Sequence, residues 1–359
     1  MYLMGATMLE FMNITADQNT EQPGCQKECN ACLNCLADTS QRIRKMRVTE
    51  SEKERLLQAL DDFTERHTWK DDDKSAQAQI GFAFIAELKR ATPRIVRTLE
   101  RAKAGDLDAV YIEGLPTEMN HARILLISMT HILGRPFNYD SQNDGALVME
   151  LKPVSGSAGN TNSTNDDFAL HTDDAAMPRD ARTEFINLYG IINPPNTLTG
   201  YAPTLDALKE LMSYGLVDDL VNALNEPRFQ VRFPVSFGFD KEIWSEPCTI
   251  IKALKNGDID TRFPSYAVKP VHDDDFVAHA AIAVFHAAME RQVVNVPLDA
   301  GCFLTFNNSR GAHKRGAIGE GDRLVLRTYS ARNLDLLREV TGEDGPIFPV
   351  EPFAKALNA

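Results

Sequence analysis

Apolar and polar positions along the chain first follow a helical period and then a strand period. The run TESEKERLLQALDDFTERH opens with Thr49 and Glu52 at the spacing of a capping box, in which each residue serves the other's backbone N–H. The next stretch, AQIGFAFIAELKRATPRIVRTLERAKAG, carries apolar residues every three to four positions. A kink is expected at Pro93 and an end at Gly105. Beyond it the period shortens. DAVYIEGLP is a short β run closed by Gly114 and Pro116, HARILLISMTHILG returns to helix, and GALVMELKPV returns to strand. SGSAGNTNSTN is a loop by composition. Short strands then recur in TEFINLYGII, RFQVRFPVSF, QVVNVPL, GCFLTFNN and RLVLRTYSA. Two helices interrupt them, TLDALKELMSYGLVDDLVNAL and DDFVAHAAIAVFHAAMERQ. No internal repeat is evident. The expected fold is mainly β with flanking helices, a double-sheet jelly roll. It occupies residues 46–359, behind a loosely ordered extension at 1–45.

Composition narrows the partners. The chain has 359 residues, 43% hydrophobic and 25% charged, enough for a sizeable core. A net charge of −13 argues against nucleic acid as the main partner, since phosphate recognition wants a basic face. It also disfavours an anionic membrane surface. No apolar run is long enough to span a bilayer. The apolar amino terminus lacks a basic flank and contains Glu10, so it is not expected to be a signal peptide. A cytoplasmic location with reduced thiols is the resulting expectation. Cys25, Cys29, Cys32 and Cys35 crowd into one stretch that could wrap zinc or an iron–sulfur cluster. The first three match the C-x3-C-x2-C cluster motif of radical enzymes, but no repeated strand–helix barrel follows. A mobile tail whose thiols do nothing specific is the alternative.

The chemistry concentrates in DFALHTD. On a strand, residues two apart point to the same face about 6.6 Å apart, so His171 and Asp173 can chelate one ion as the strand ends. On a helix they would diverge. The third ligand must come from elsewhere. Most other histidines fall on helical stretches, where they pack on helix faces, but His313 follows the strand GCFLTFNN and a short turn. Two histidines and one carboxylate make the facial triad of non-haem Fe(II) oxygenases. Downstream, GDRLVLRTYSARN sets Arg323, Val325, Arg327 and Tyr329 on one face of a strand, opposite Leu324 and Leu326. Two arginines on a core-quality strand are costly unless a buried anion meets them, and a guanidinium can grip a carboxylate with two parallel hydrogen bonds. An edge strand with both arginines solvated is the other possibility.

At these residues the chain resembles the Fe(II)/2-oxoglutarate dioxygenases of the clavaminate synthase-like group related to taurine dioxygenase. His171-Thr172-Asp173 matches that group's H-T-[DE] pair. NNSRGAH is similar to its D-N-R-x-x-x-H element, keeping Asn308 and His313 but carrying Asn307 and Ser309 in place of Asp and Arg. Asp322, Arg323 and Arg327 match its D-R-x-x-x-R strand. NTLTGYAPTLDAL is similar to its G-G-x-T-x-x-A segment. The resemblance spans roughly residues 80–335.

It implies that His171, Asp173 and His313 hold Fe(II), and that Arg323, assisted by Thr199, binds the far carboxylate of 2-oxoglutarate. Arg327 then faces the substrate's carboxylate. The short loop between His313 and Arg323 leaves the exchanged roles of the two arginines open. The implied reaction decarboxylates 2-oxoglutarate to succinate and CO2 with dioxygen and hydroxylates an unactivated C–H, with desaturation or ring formation as variants. In VKPVHDDDFVAHAAIAVFHAAME, the helix after Asp273, Asp274 and Asp275 is similar to the group's lid helix. Asp273 or Asp275 is expected to meet a basic side chain of an amino-acid substrate, or simply to cap the helix. Two rivals stand beside this reading. One is the same chemistry on an amino acid tethered to a carrier protein. The other is a non-enzymatic metal or redox sensor built on the four cysteines.

Overall fold

The computed structural model describes residues 42–153, 165–214, 218–239, 241–254 and 258–356. The four clustered cysteines and nearly all of the 155–165 loop lie outside them.

The helical first part follows its sequence signals. α1 (Glu50–Thr64) opens with the reciprocal capping box: Glu52 N donates to Thr49 Oγ1 at 3.3 Å, and Thr49 N donates to Glu52 Oε2 at 3.0 Å. The expected kinked helix is instead two helices, α2 (Lys74–Ala91) and α3 (Pro93–Ala104). Pro93 stands at the first position of α3, where its missing N–H has no partner to lose. Gly105 ends α3 in the left-handed region, at φ 90°. α4 (Met119–Leu133) is buried along most of its length.

Two sheets carry the core. The larger contains β1 (Ile43–Arg47), β2 (Ala109–Glu113), β3 (Arg135–Tyr139), β4 (Met149–Leu151) and β6 (Phe185–Ile192), together with β13 (Phe303–Asn307), β15 (Leu324–Ala331) and β16 (Ile347–Phe348). Its order is β1-β2-β13-β6-β15-β3-β16, with β4 also on β15. The smaller is antiparallel, in the order β12-β7-β14-β5: β12 (Val294–Pro297), β7 (Leu198–Pro203), β14 (Gly311–Arg315) and β5 (Phe168–His171). From β5 to β7, and again from β12 to β15, successive strands alternate between the sheets. Between β7 and β12 lie α5 (Thr204–Ser213), α6 (Asp218–Leu224), β8 (Phe229–Val231), β9 (Ile251–Ala253), β10 (Ile259–Thr261), β11 (Val268–Pro270) and α7 (Phe276–Arg291). β8 pairs with β11 and β9 with β10. α8 (Asp335–Thr341) and α9 (Glu351–Ala356) close the described chain.

Three apolar clusters stack these elements in layers. Leu60, Phe84, Leu99 and Leu125 of α1–α4 pack on Phe185, Tyr189, Phe303 and Leu326 from one face of the larger sheet. Its other face, with Phe137, Ile186, Leu304, Val325 and Tyr329, meets Tyr201 and Val296 of the smaller sheet. The outer face of the smaller sheet, with Leu170, Ala202 and Ala312, is covered by Leu208, Val221, Phe285 and Met289 of α5–α7. Alternation along β15 thus sends Leu326 to the helices and Tyr329 to the space between sheets, as its pattern requires. This is a sheet-rich fold with helical outer layers. No helix among the described residues is long and apolar enough to cross a membrane.

Several strands were not legible. β1 starts at Ile43, inside the expected extension, and pairs in parallel with β2. His313 follows the turn after β13, as expected, but stands inside a further strand, β14, whose sequence GAHKR has too few apolar residues to show alternation. The helix expected over 204–224 is two, α5 and α6.

Candidate metal centre

Register brings the first two ligand candidates together. β14 lies antiparallel to β5 with His313 directly opposite His171. Gly311 lets β14 come this close to β7, since a Cβ there would overlap the carbonyl oxygen of Ala202. Simple alternation does not describe β5. Its register against β14 shifts between His171 and Phe168, a bulge that brings the Phe168 ring to 4.0 Å from the His171 ring.

Asp173 is held by its backbone. Asn308, in the turn from β13 to β14, accepts from Asp173 N at 2.8 Å and donates to Asp173 O at 3.0 Å and Thr183 O at 2.9 Å. The turn that delivers His313 therefore also fixes Asp173. Asp174 follows with φ 57°, a left-handed geometry that a short acidic side chain tolerates.

His171, Asp173 and His313 each offer a ligand atom, all within 4.8 Å of one another. The imidazole rings of His171 and His313 are 4.1 Å apart between centroids. Asp173 Oδ1 lies 3.1 Å from His171 Nε2 and 3.8 Å from His313 Nε2. His171 Nδ1 is 2.7 Å from Ala169 O, an acceptor, so this nitrogen carries a ring proton and Nε2 is the atom turned to the carboxylate. That Nε2 is buried and has no hydrogen-bond partner. An imidazole nitrogen facing a carboxylate oxygen at 3.1 Å is satisfied by a shared proton or by a bound cation. The two imidazoles and one carboxylate fit a divalent metal.

Electrostatics agree. Burial pulls the Asp173 carboxyl upward, but His171, His313 and Arg327 outweigh it and hold the group well below the usual carboxylate range. Burial, followed by His171, depresses His313, leaving a neutral imidazole able to ligate. Burial and the Asp173 charge push Asp174 up to about 7.

The arginines flank this cluster. Arg327 Nη1 is 3.6 Å from Asp173 Oδ2, and its Nη2 donates to Gln142 Oε1 at 3.2 Å. Arg323 is 5% exposed, and its Nε and Nη1 are buried without a hydrogen-bond partner. Burial, then the charges of Arg315 and Arg327, bring Arg323 down to about 10. Thr199 is buried on β7 in register with Arg315 of β14. The solvated-edge alternative for β15 is thereby excluded, since all of its residues are buried. Aromatic rings wall the rest: Phe306 at 4.7 Å from His313 and Tyr266 at 5.9 Å from His171.

The acids before α7 stand apart from this constellation. Asp275 caps the helix, accepting from Ala278 N at 3.0 Å, and pairs with Arg228 at 3.1 Å. Asp273 is exposed. Among the described residues no hydrogen bond or ion pair joins either to His171, Asp173 or His313. The sequence reading missed Gln142, Arg315 and the role of Asn308. Arg315 was reachable, being two positions from His313 on one strand. Gln142 carried no signal.

No protein-family model matches the chain. Among solved structures, it is similar to an asparagine oxygenase in complex with Fe(II), 2S,3S-3-hydroxyasparagine and succinate. The two are 20% identical over 85% of this chain and 99% of that one, with a TM-score of 0.72. The chain has the fold of non-haem iron oxygenases. A second structure with this fold is the non-heme iron oxygenase OrfP in complex with Fe, succinate and (3S)-hydroxy-L-Arg, at 19% identity, the same coverages and a TM-score of 0.70. OrfP with Fe and alpha-ketoglutaric acid gives 18% identity and a TM-score of 0.72. This is the group that the motifs around His171, His313 and Arg323 resemble.

Proposed function

We propose that this protein is an Fe(II)- and 2-oxoglutarate-dependent dioxygenase that hydroxylates an unactivated C–H of a free amino-acid-like substrate, releasing succinate and CO2. The carrying observation is the His171–Asp173–His313 cluster, in which two buried imidazoles and one carboxylate bring a ligand atom each within 4.8 Å of the others. The alternation of strands between two facing sheets supports reading residues 46–359 as a double-stranded β-helix, with α5–α7 and β8–β11 as an insert that includes a lid. Two similar structures contain succinate and a hydroxylated free amino acid, which supports the substrate class.

Bound at the cluster, Fe(II) would couple oxidative decarboxylation of 2-oxoglutarate by dioxygen to C–H hydroxylation. The chain does the positioning. Arg323, buried and unpaired, grips the far carboxylate of 2-oxoglutarate, with Thr199 beside it. Arg327 turns to the substrate's carboxylate, which brings the reacting carbon to the ligand cluster. Phe168, Phe306 and Tyr266 keep water away from the imidazoles. A basic substrate side chain would have to rely on Asp273, because Asp275 is already engaged at the N-cap and with Arg228.

The test is a panel of free amino acids incubated with protein, Fe(II), 2-oxoglutarate and air. Succinate should form together with a product carrying one added oxygen atom, and Asp173→Ala should abolish both. Absence of succinate with every free amino acid, but not with their thioester-linked forms, would move the proposal to a carrier-tethered substrate. A protein lacking residues 1–41, which leaves β1 whole, should keep one iron site, whereas a sensor built on Cys25, Cys29, Cys32 and Cys35 would lose its metal.

A further inference from the structure

The two oxygens of Asp173 live in different surroundings. Oδ1 faces both imidazoles, at 3.1 Å from His171 Nε2 and 3.8 Å from His313 Nε2. Oδ2 turns away from them and accepts the Tyr329 hydroxyl at 2.7 Å. Tyr329 stands two positions beyond Arg327 on β15, and the Arg327 guanidinium lies 4.6 Å over its ring. Gln142 Oε1 is 3.2 Å from the Tyr329 hydroxyl and 3.2 Å from Arg327 Nη2, so one amide oxygen sits between two groups that address Asp173. The phenol has one proton, and the shorter contact, to Asp173, takes it.

We propose that Tyr329 is a positioning residue: its hydroxyl pins Asp173 through Oδ2 so that Oδ1 alone is offered with the two imidazoles, and Gln142, accepting from Arg327 Nη2, keeps that guanidinium over the Tyr329 ring. A carboxylate without this anchor can rotate or offer both oxygens, and ordering it then costs binding energy. Groups that orient a ligand in this way are worth about 10–100-fold in metal affinity. The inference rests on the metal-centre reading above and adds to it a residue that does not touch the metal.

The experiment uses the full chain and Co(II), whose visible absorption reports the number of donor atoms. Tyr329→Phe keeps the ring in its packing and removes only the hydroxyl. Metal-free Tyr329→Phe should unfold within a few degrees of the parent, bind Co(II) about 10–100-fold more weakly and show a changed Co(II) spectrum. Gln142→Leu should weaken Co(II) in the same direction but less, and it carries the test by itself if Tyr329→Phe does not fold. Parent-like Co(II) affinity and spectrum in a folded variant would overturn the role of Tyr329 while leaving the metal centre intact. If the parent binds no Co(II), or binding survives His313→Ala, the metal-centre reading itself falls and takes this inference with it.

Discussion

Arg182 and Arg323 are both almost wholly buried, and their surroundings could hardly differ more. Arg182 is met by both oxygens of Asp260, at 2.7 and 2.5 Å, and by Thr261 O at 3.0 Å. It ties the segment after Asp174 to β10. Arg323 has no hydrogen-bond acceptor among the described residues, and the charges that act on it are those of two more arginines, Arg315 and Arg327. Burying a guanidinium is expensive, and evolution tolerates the cost for one of two reasons. Either the partner is part of the fold, as Asp260 is, or the partner arrives later. The unpaired arginine is therefore the stronger evidence for a ligand, and the well-paired one is evidence for architecture.

Asp260→Ala leaves Arg182 with the Thr261 carbonyl as its remaining acceptor among the described residues, close to the state that Arg323 already occupies, and this is the harshest test of the comparison. Breaking a buried pair from one side should cost about 3–5 kcal/mol of stability, read from urea unfolding. A loss well under 1 kcal/mol would mean that an unpaired buried guanidinium is cheap in this protein, and Arg323 would lose its diagnostic weight.

Arg323→Met should move stability the other way. Removing unsatisfied buried donors relieves their desolvation penalty, so the variant should gain about 1–3 kcal/mol when 2-oxoglutarate is absent. The same change should weaken 2-oxoglutarate binding by about 2–5 kcal/mol, measured calorimetrically. A gain in stability without a loss of affinity would separate Arg323 from the co-substrate and favour the exchanged assignment, with Arg327 on 2-oxoglutarate.

Much of this contrast could be read in advance on the site side and little of it on the structural side. Arg323 and Arg327 announced themselves because charged residues alternate with leucines on one strand, and His171 with Asp173 because their spacing is useful only in extended chain. The Arg182–Asp260 pair joins residues 78 apart in sequence through a loop and a three-residue strand, with no local pattern to mark either. His313 was found through its neighbourhood, but its strand was not, because β14 is buried by β5 and β7 rather than by its own apolar residues. The helix break at Thr92 was half legible: Pro93 signalled a disruption, and whether it bends one helix or starts another depends on packing.

A third pair, half in water, calibrates the other two. Glu52 accepts from Arg94 Nε at 2.9 Å and from Arg94 Nη2 at 2.6 Å, with the arginine side chain 46% exposed. Arg94, first, and the Thr49 donors hold the Glu52 carboxyl at about 2 against the opposing effect of burial. Because the folded value lies below the unfolded one, the pair stabilises the protein above the ordinary carboxylate pKa of 4.5 and loses that contribution as pH falls toward about 2. Solvent screening limits the effect to about 1 kcal/mol. Glu52→Gln retains a side chain that can complete the capping box, so it isolates the charge. The variant should be about 1 kcal/mol less stable than the parent near neutral pH, and the two should unfold alike near pH 2. A gap that persists in acid would assign the contribution to hydrogen-bond geometry rather than charge. Solvent exposure would then not explain why this pair is weaker than Arg182 with Asp260.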